Sequence, residues 1–69
     1  MPDVLIRKLE NGNVELHCHS ERLRADLIAA MGEGVDFSPA EYEPDLAAFI
    51  VSELQYQGYT AAPYPSNLN

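Results

Sequence analysis

Asn11-Gly12 separates two short apolar-rich runs, Val4-Leu5-Ile6-Arg7-Lys8-Leu9 and Val14-Glu15-Leu16-His17-Cys18-His19. Both residues of that dipeptide tolerate the positive φ that a tight hairpin turn demands, which makes it the strongest short-range hairpin signal. The pattern predicts a β-hairpin over Val4–Ser20, with the rest of the chain covering one of its faces. If Asn11-Gly12 is a two-residue loop, Glu10 pairs with Asn13 and Lys8 faces Glu15, an opposite-charge pair worth roughly a few tenths of a kcal/mol. Leu5, Leu9, Val14, Leu16 and Cys18 then share the core face, and Arg7 is the misfit, opposite Leu16. A three-residue loop would instead join Val4 and Ile6 to Leu16 and Cys18. The first register is preferred, because it uses the turn chemistry and the charge pair together.

Ser20 is a good N-cap for a helix over Glu21–Met31, with Leu23, Leu27, Ile28 and Met31 as its buried stripe and Gly32 at its end. Ser38-Pro39-Ala40-Glu41 reads as a capping box with proline at the first helical position. Pro44 cuts this short, so a single turn over Pro39–Tyr42 and a separate helix over Pro44–Gln57 are expected. Leu46, Phe49, Ile50 and Leu54 fit the helical period there, Ala47 and Val51 widen the face, and Gly58 stops the helix. Tyr59–Ala62 suits a short third strand beside the hairpin, since a bare two-stranded ribbon is marginal. The expected fold is α+β, in the order β-β-α-α, with the helices on one face of the hairpin. It occupies residues 1–62 as a single domain, and residues 63–69 form an extended or disordered tail.

A chain of 69 residues lies near the lower limit for a self-sufficient core, which supplies roughly 3–5 kcal/mol at best. Cys18 is the only cysteine, so no internal disulfide can form, and a reducing, cytoplasmic setting fits best. Met1-Pro2-Asp3 is acidic and no apolar stretch follows it, which argues against a signal peptide. The longest apolar run, Leu46–Val51, is too short to span a bilayer, so a soluble protein is expected.

Charge divides the chain. The net charge is −7, and all four cations, Arg7, Lys8, Arg22 and Arg24, precede Gly32. Glu33, Asp36, Glu41, Glu43, Asp45 and Glu53 follow with no Lys or Arg among them. Such a field repels nucleic acid and anionic membranes and attracts basic surfaces. No direct nucleic-acid or membrane partner is expected.

His17-Cys18-His19 is the one cluster of metal-ligand types. On a strand, His17 and His19 share a face with Glu15, whereas Cys18 points away. Structural zinc wants four ligands, so a site would need completion by a carboxylate or a second copy. Ordinary solvent-face residues are the plainer reading, with no cofactor or metal. The same divergence rules out a Cys–His nucleophilic pair and leaves Cys18 an inert core thiol. The serines sit in no nucleophile context, and Glu41, Glu43 and Asp45 lack the frame of a calcium loop. A non-enzyme is expected.

Tyr42 stands among the acids, and Tyr56, Tyr59 and Tyr64 cluster near the C-terminus. Tyrosine is enriched at interfaces, where its large ring and polar tip are both used. The first functional expectation is therefore a non-catalytic protein-binding module, an inhibitor or adaptor of the kind phages and mobile elements carry. It would use Glu33, Asp36, Glu41, Tyr42, Glu43 and Asp45 on a basic, even nucleic-acid-binding, partner protein. The second is a transition-metal-binding or metal-sensing protein built on His17, His19 and Glu15. A third is a homodimer joined through the hairpin edge or the wide apolar arc of the second helix.

Overall fold

The computed structural model of the chain describes residues 1–65 and has an α+β architecture, a four-stranded sheet with two helices on one face. Strands β1 (Val4–Lys8) and β2 (Val14–Cys18) form the expected antiparallel hairpin. Helix α1 (Glu21–Met31) follows, then strand β3 (Ala40–Tyr42), helix α2 (Pro44–Tyr56) and strand β4 (Ala61–Pro63). The strand order is β3-β2-β1-β4, antiparallel except for the parallel β1–β4 pair.

The hairpin takes the three-residue loop, not the two-residue one. Arg7 pairs with Glu15 and Lys8 with Val14, so the expected Lys8–Glu15 contact does not form. The Leu9 N–H donates to the Asn13 carbonyl at 2.9 Å, and Gly12 N–H donates back to the Leu9 carbonyl at 3.0 Å. Asn11 caps the turn by accepting the Asn13 N–H through its side chain at 2.9 Å, and Gly12 has φ 92°. The turn preference lost to the cost of burying Arg7 opposite Leu16 in mid-strand; the cation now on the core face, Lys8, sits at the exposed end of β1. In this register Val4, Ile6, Val14, Leu16 and Cys18 point to the helices, while Arg7 moves to the other face and meets Glu15 at 3.4 Å. Leu5 goes to that open face too, flanked by His17 and Ala62, and is still buried. Alanine at Gly12 meets no atom within 4 Å, yet its φ is strained for any side chain. We expect Gly12→Ala to cost about 1 kcal/mol, and an unchanged urea midpoint would contradict that.

Helix α1 has the expected bounds. Ser20 Oγ accepts the Leu23 N–H at 3.1 Å, and Gly32, at φ 95°, closes the far end on the Ile28 carbonyl. Leu23 is buried in the core with Val4 and Leu16, but Met31 is exposed, because the last turn runs past the sheet. The expected capping box at Ser38 does not form. Residues 40–42 are instead extended and pair with β2, and Asp36 accepts the Ser38 N–H in a local turn at 2.9 Å. Proline at the start of α2 was legible, and this helix ends one residue earlier than expected, with Gln57 as its cap.

Strand β4 pairs with β1 as the expected extra strand, but over Ala61–Pro63 and not Tyr59–Ala62. Tyr64 donates its N–H to the Ile6 carbonyl at 2.7 Å. The remainder of the expected tail, residues 66–69, lies outside the described residues.

A polar knot closes the sheet at Asp3, which is 3% exposed. Its carboxylate accepts the Ser20 hydroxyl at 2.5 Å, the Arg22 guanidinium at 2.7 Å and the Thr60 N–H at 2.8 Å. Its main-chain carbonyl accepts the N–H groups of His19 and Ser20, and its own N–H donates to the Thr60 carbonyl. Arg22 also donates to the Gly58 carbonyl and lies over the Tyr59 ring, whose hydroxyl donates to Asp26. The start of β1, the cap of α1 and the approach to β4 thus meet on one side chain.

Candidate protein-binding surface

Helix α2 turns Ala47, Ile50, Val51 and Leu54 toward the sheet, and only Ala47 of these is fully buried. Leu46 and Phe49, expected in the buried stripe, face outward instead. The exposures are 45% for Leu46, 61% for Phe49 and 86% for Tyr56. The physical reason is arc width. Six apolar positions span more of the helix circumference than one sheet face can cover, and the smaller Ala47 lets the backbone approach the strands.

The outward residues form a stripe. Leu46, Phe49, Glu53 and Tyr56 fall at successive three- and four-residue spacings, which places them side by side on a helix. Asp45 adjoins them in the first turn, and Glu43 precedes the helix with no capping hydrogen bond from its side chain. Glu43, Asp45 and Glu53 are all exposed. No Lys or Arg lies in α2 or β3. Isolated exposed apolar residues are ordinary, whereas here three large ones stand in a single acid-flanked row.

The six residues expected at the partner surface divide in two. Glu33, Glu43 and Asp45 are exposed, and so are Asp36 and Glu41, but these last two, with the half-buried Tyr42, are engaged in contacts within the domain. Glu41 lies on the open sheet face and accepts from Asn11 Nδ2 at 2.9 Å and Asn13 Nδ2 at 2.8 Å. Those two amides, Asn13 foremost, hold its carboxyl below the usual carboxylate range. Asp36 is lowered likewise, chiefly by the Ser38 N–H. Tyr42 is half-buried and packs against the core. Leu46, Phe49, Glu53 and Tyr56 were not named for the surface site; the sequence signals for them were the excess width of the apolar arc, the one-sided charge and the interface preference of tyrosine.

On the open face, His17 Nε2 lies 2.7 Å from Glu15 Oε1, and its ring centroid is 4.8 Å from that of Tyr64. Arg7 reaches both Glu15 and the Tyr64 ring. His19 stands beyond the end of β2 and is exposed. Among the described residues, no three His, Cys, Asp or Glu side chains are grouped to hold a metal ion. Cys18 packs at the edge of the core, and burial pushes its thiol up, which disfavours the thiolate.

No helix among the described residues is long and apolar enough to cross a membrane. Comparison with protein-family models, with curated proteins and with solved structures finds no match for this chain.

Proposed function

We propose that this chain is a small, acidic, non-catalytic binding module that acts in the cytoplasm as an inhibitor or adaptor. Its contact surface is the outer face of α2, with Glu43 at the start of the helix, and its partner is a protein with a basic surface. One observation supports this reading above the others: Leu46, Phe49 and Tyr56 stand exposed in one row with Asp45 and Glu53 and without a cation. Exposing aromatic surface costs solubility, and a partner contact is the usual compensation. A second copy is a poorer occupant, since two α2 helices face to face would oppose acid to acid.

The test is selection of random displayed peptides on the immobilised protein. The expected pool is enriched in Lys and Arg next to apolar residues. Phe49→Ala should abolish most of that binding and leave the melting temperature within about 2 °C, because exposed positions rarely affect stability. A pool without basic bias, or one that binds the Phe49→Ala protein equally well, would refute the reading.

A further inference from the structure

The two helices leave a cleft of about 260 Å³ over the centre of the sheet. Leu16 and Cys18 form its floor, Leu23 and Leu27 its α1 wall, and Ile50 and Leu54 its α2 wall. The connection from α1 to β3 lines one end with Phe37 and Asp36, and Tyr42 of β3 lies there as well. Among the described residues, no buried side-chain nitrogen or oxygen lacks a hydrogen-bond partner, so the cleft asks for no polar ligand. It is larger than the roughly 150 Å³ apolar cavity that takes up benzene. It is also smaller than the roughly 300 Å³ at which drug- and cofactor-sized pockets begin. That is room for one bulky side chain.

The cleft is continuous with the proposed contact surface. Ile50, on its wall, lies one turn from Leu46, and Leu46 lies one turn from Phe49. An apolar path therefore leads from the cleft out along the exposed row. Carboxylates flank that path, with Asp36 at the Phe37 end and Asp45 and Glu53 along α2. Arg24, on the α1 side, is taken up by the Phe37 ring and the Cys18 carbonyl.

We infer that the cleft is an anchor pocket. It receives one aromatic or large aliphatic side chain from a basic segment of the partner, whose neighbouring Lys or Arg residues meet the carboxylates along α2. This deepens the acidic-surface reading and rests on it. Charge selects the segment, and the pocket sets its register.

Indole serves as the free probe of the pocket, followed through the methyl resonances of the whole protein. Saturable shifts of the Leu16, Leu23, Leu27 and Ile50 methyls are expected, with roughly millimolar affinity and Leu5 on the opposite face unmoved. A basic peptide from the display selection should bind at least about 30-fold more weakly when its apolar anchor is changed to alanine, and indole should compete with it. Ala40→Phe, which fills the cleft from β3, should weaken the unaltered peptide to the same extent and remove the indole shifts. The indole titration needs no substitution, so it decides even if that variant misfolds. Absence of saturable shifts overturns the pocket. Undiminished binding of the alanine peptide overturns its role as anchor site and leaves the acidic surface standing. A selection without basic bias overturns the surface reading and the partner assigned here, while the indole shifts still decide the pocket. Concentration-dependent dimers that perturb the same methyls would seat a second copy there and refute the proposal.

Discussion

Replacing Asp3 with alanine is expected to lower the melting temperature by more than about 10 °C, the largest effect of any single substitution in this chain. The carboxylate gathers the Ser20 hydroxyl, the Arg22 guanidinium and the Thr60 N–H at 2.5–2.8 Å. Its removal leaves those donors facing a void that only rearrangement or water can fill. The loss owes more to Ser20 and Thr60 than to the ion pair, because the Arg22 side chain is 57% exposed and solvent screens it. Arg22→Ala should accordingly cost less than Asp3→Ala. The pH dependence has a definite sign. Arg22 first, then Ser20 and the Thr60 N–H, hold the Asp3 carboxyl well below the usual carboxylate range. The native state therefore binds fewer protons than the unfolded chain in that range. The resulting stability is complete above it and is lost as pH falls through it toward the native value. Glu41 and Asp36 contribute in the same direction. Melting curves of the wild type should fall steeply below about pH 5, and those of Asp3→Ala should fall less. Parallel curves would show that Asp3 does not carry the effect.

The second large effect concerns binding. Reversing Glu43, Asp45 and Glu53 together to lysine is expected to weaken a selected basic peptide about a hundredfold, at roughly 1 kcal/mol for each exposed contact turned from attraction to repulsion. The wild-type affinity should itself fall steeply as salt is raised, and the triple variant should show a flat or inverted salt dependence. Stability should change little. Glu43 makes no capping bond, and only Asp45 sits where the α2 N-terminus favours an acid, worth about 0.3–1 kcal/mol. Equal salt slopes for the two proteins, measured by fluorescence anisotropy, would remove the electrostatic half of the proposal.

The helices were legible because their signals are local. Ser20, Gly32, Pro44 and Gly58 each mark a boundary by backbone chemistry that needs no distant partner. The hairpin was legible in kind but not in register, since the loop preference of Asn11-Gly12 competes with the placement of Arg7. β3 was hidden because Ser38-Pro39-Ala40-Glu41 satisfies a helix-start rule, while the forces that win are pairing with β2 and the grip of Asn11 and Asn13 on Glu41. Asp3 gave no signal, because its partners lie 17 to 57 residues away. Of the proposed surface, Glu43 and Asp45 are the part that the charge pattern singles out. Phe49 and Leu46 were missed because a helical period states which residues share a side, not which side meets the sheet.

The parallel pairing of β4 with β1 has a protective consequence. Val4-Leu5-Ile6 is the most apolar strand segment among the described residues, and β4 is the strand that pairs with its outer side. Without β4, that segment would present an open row of amide and carbonyl groups to any other extended chain. β4 has only three residues, and its last is a proline, which has no N–H to offer a newcomer. A strand too short to add much core therefore serves as a seal: it replaces a long apolar edge with a short one that offers few amide groups to a further strand.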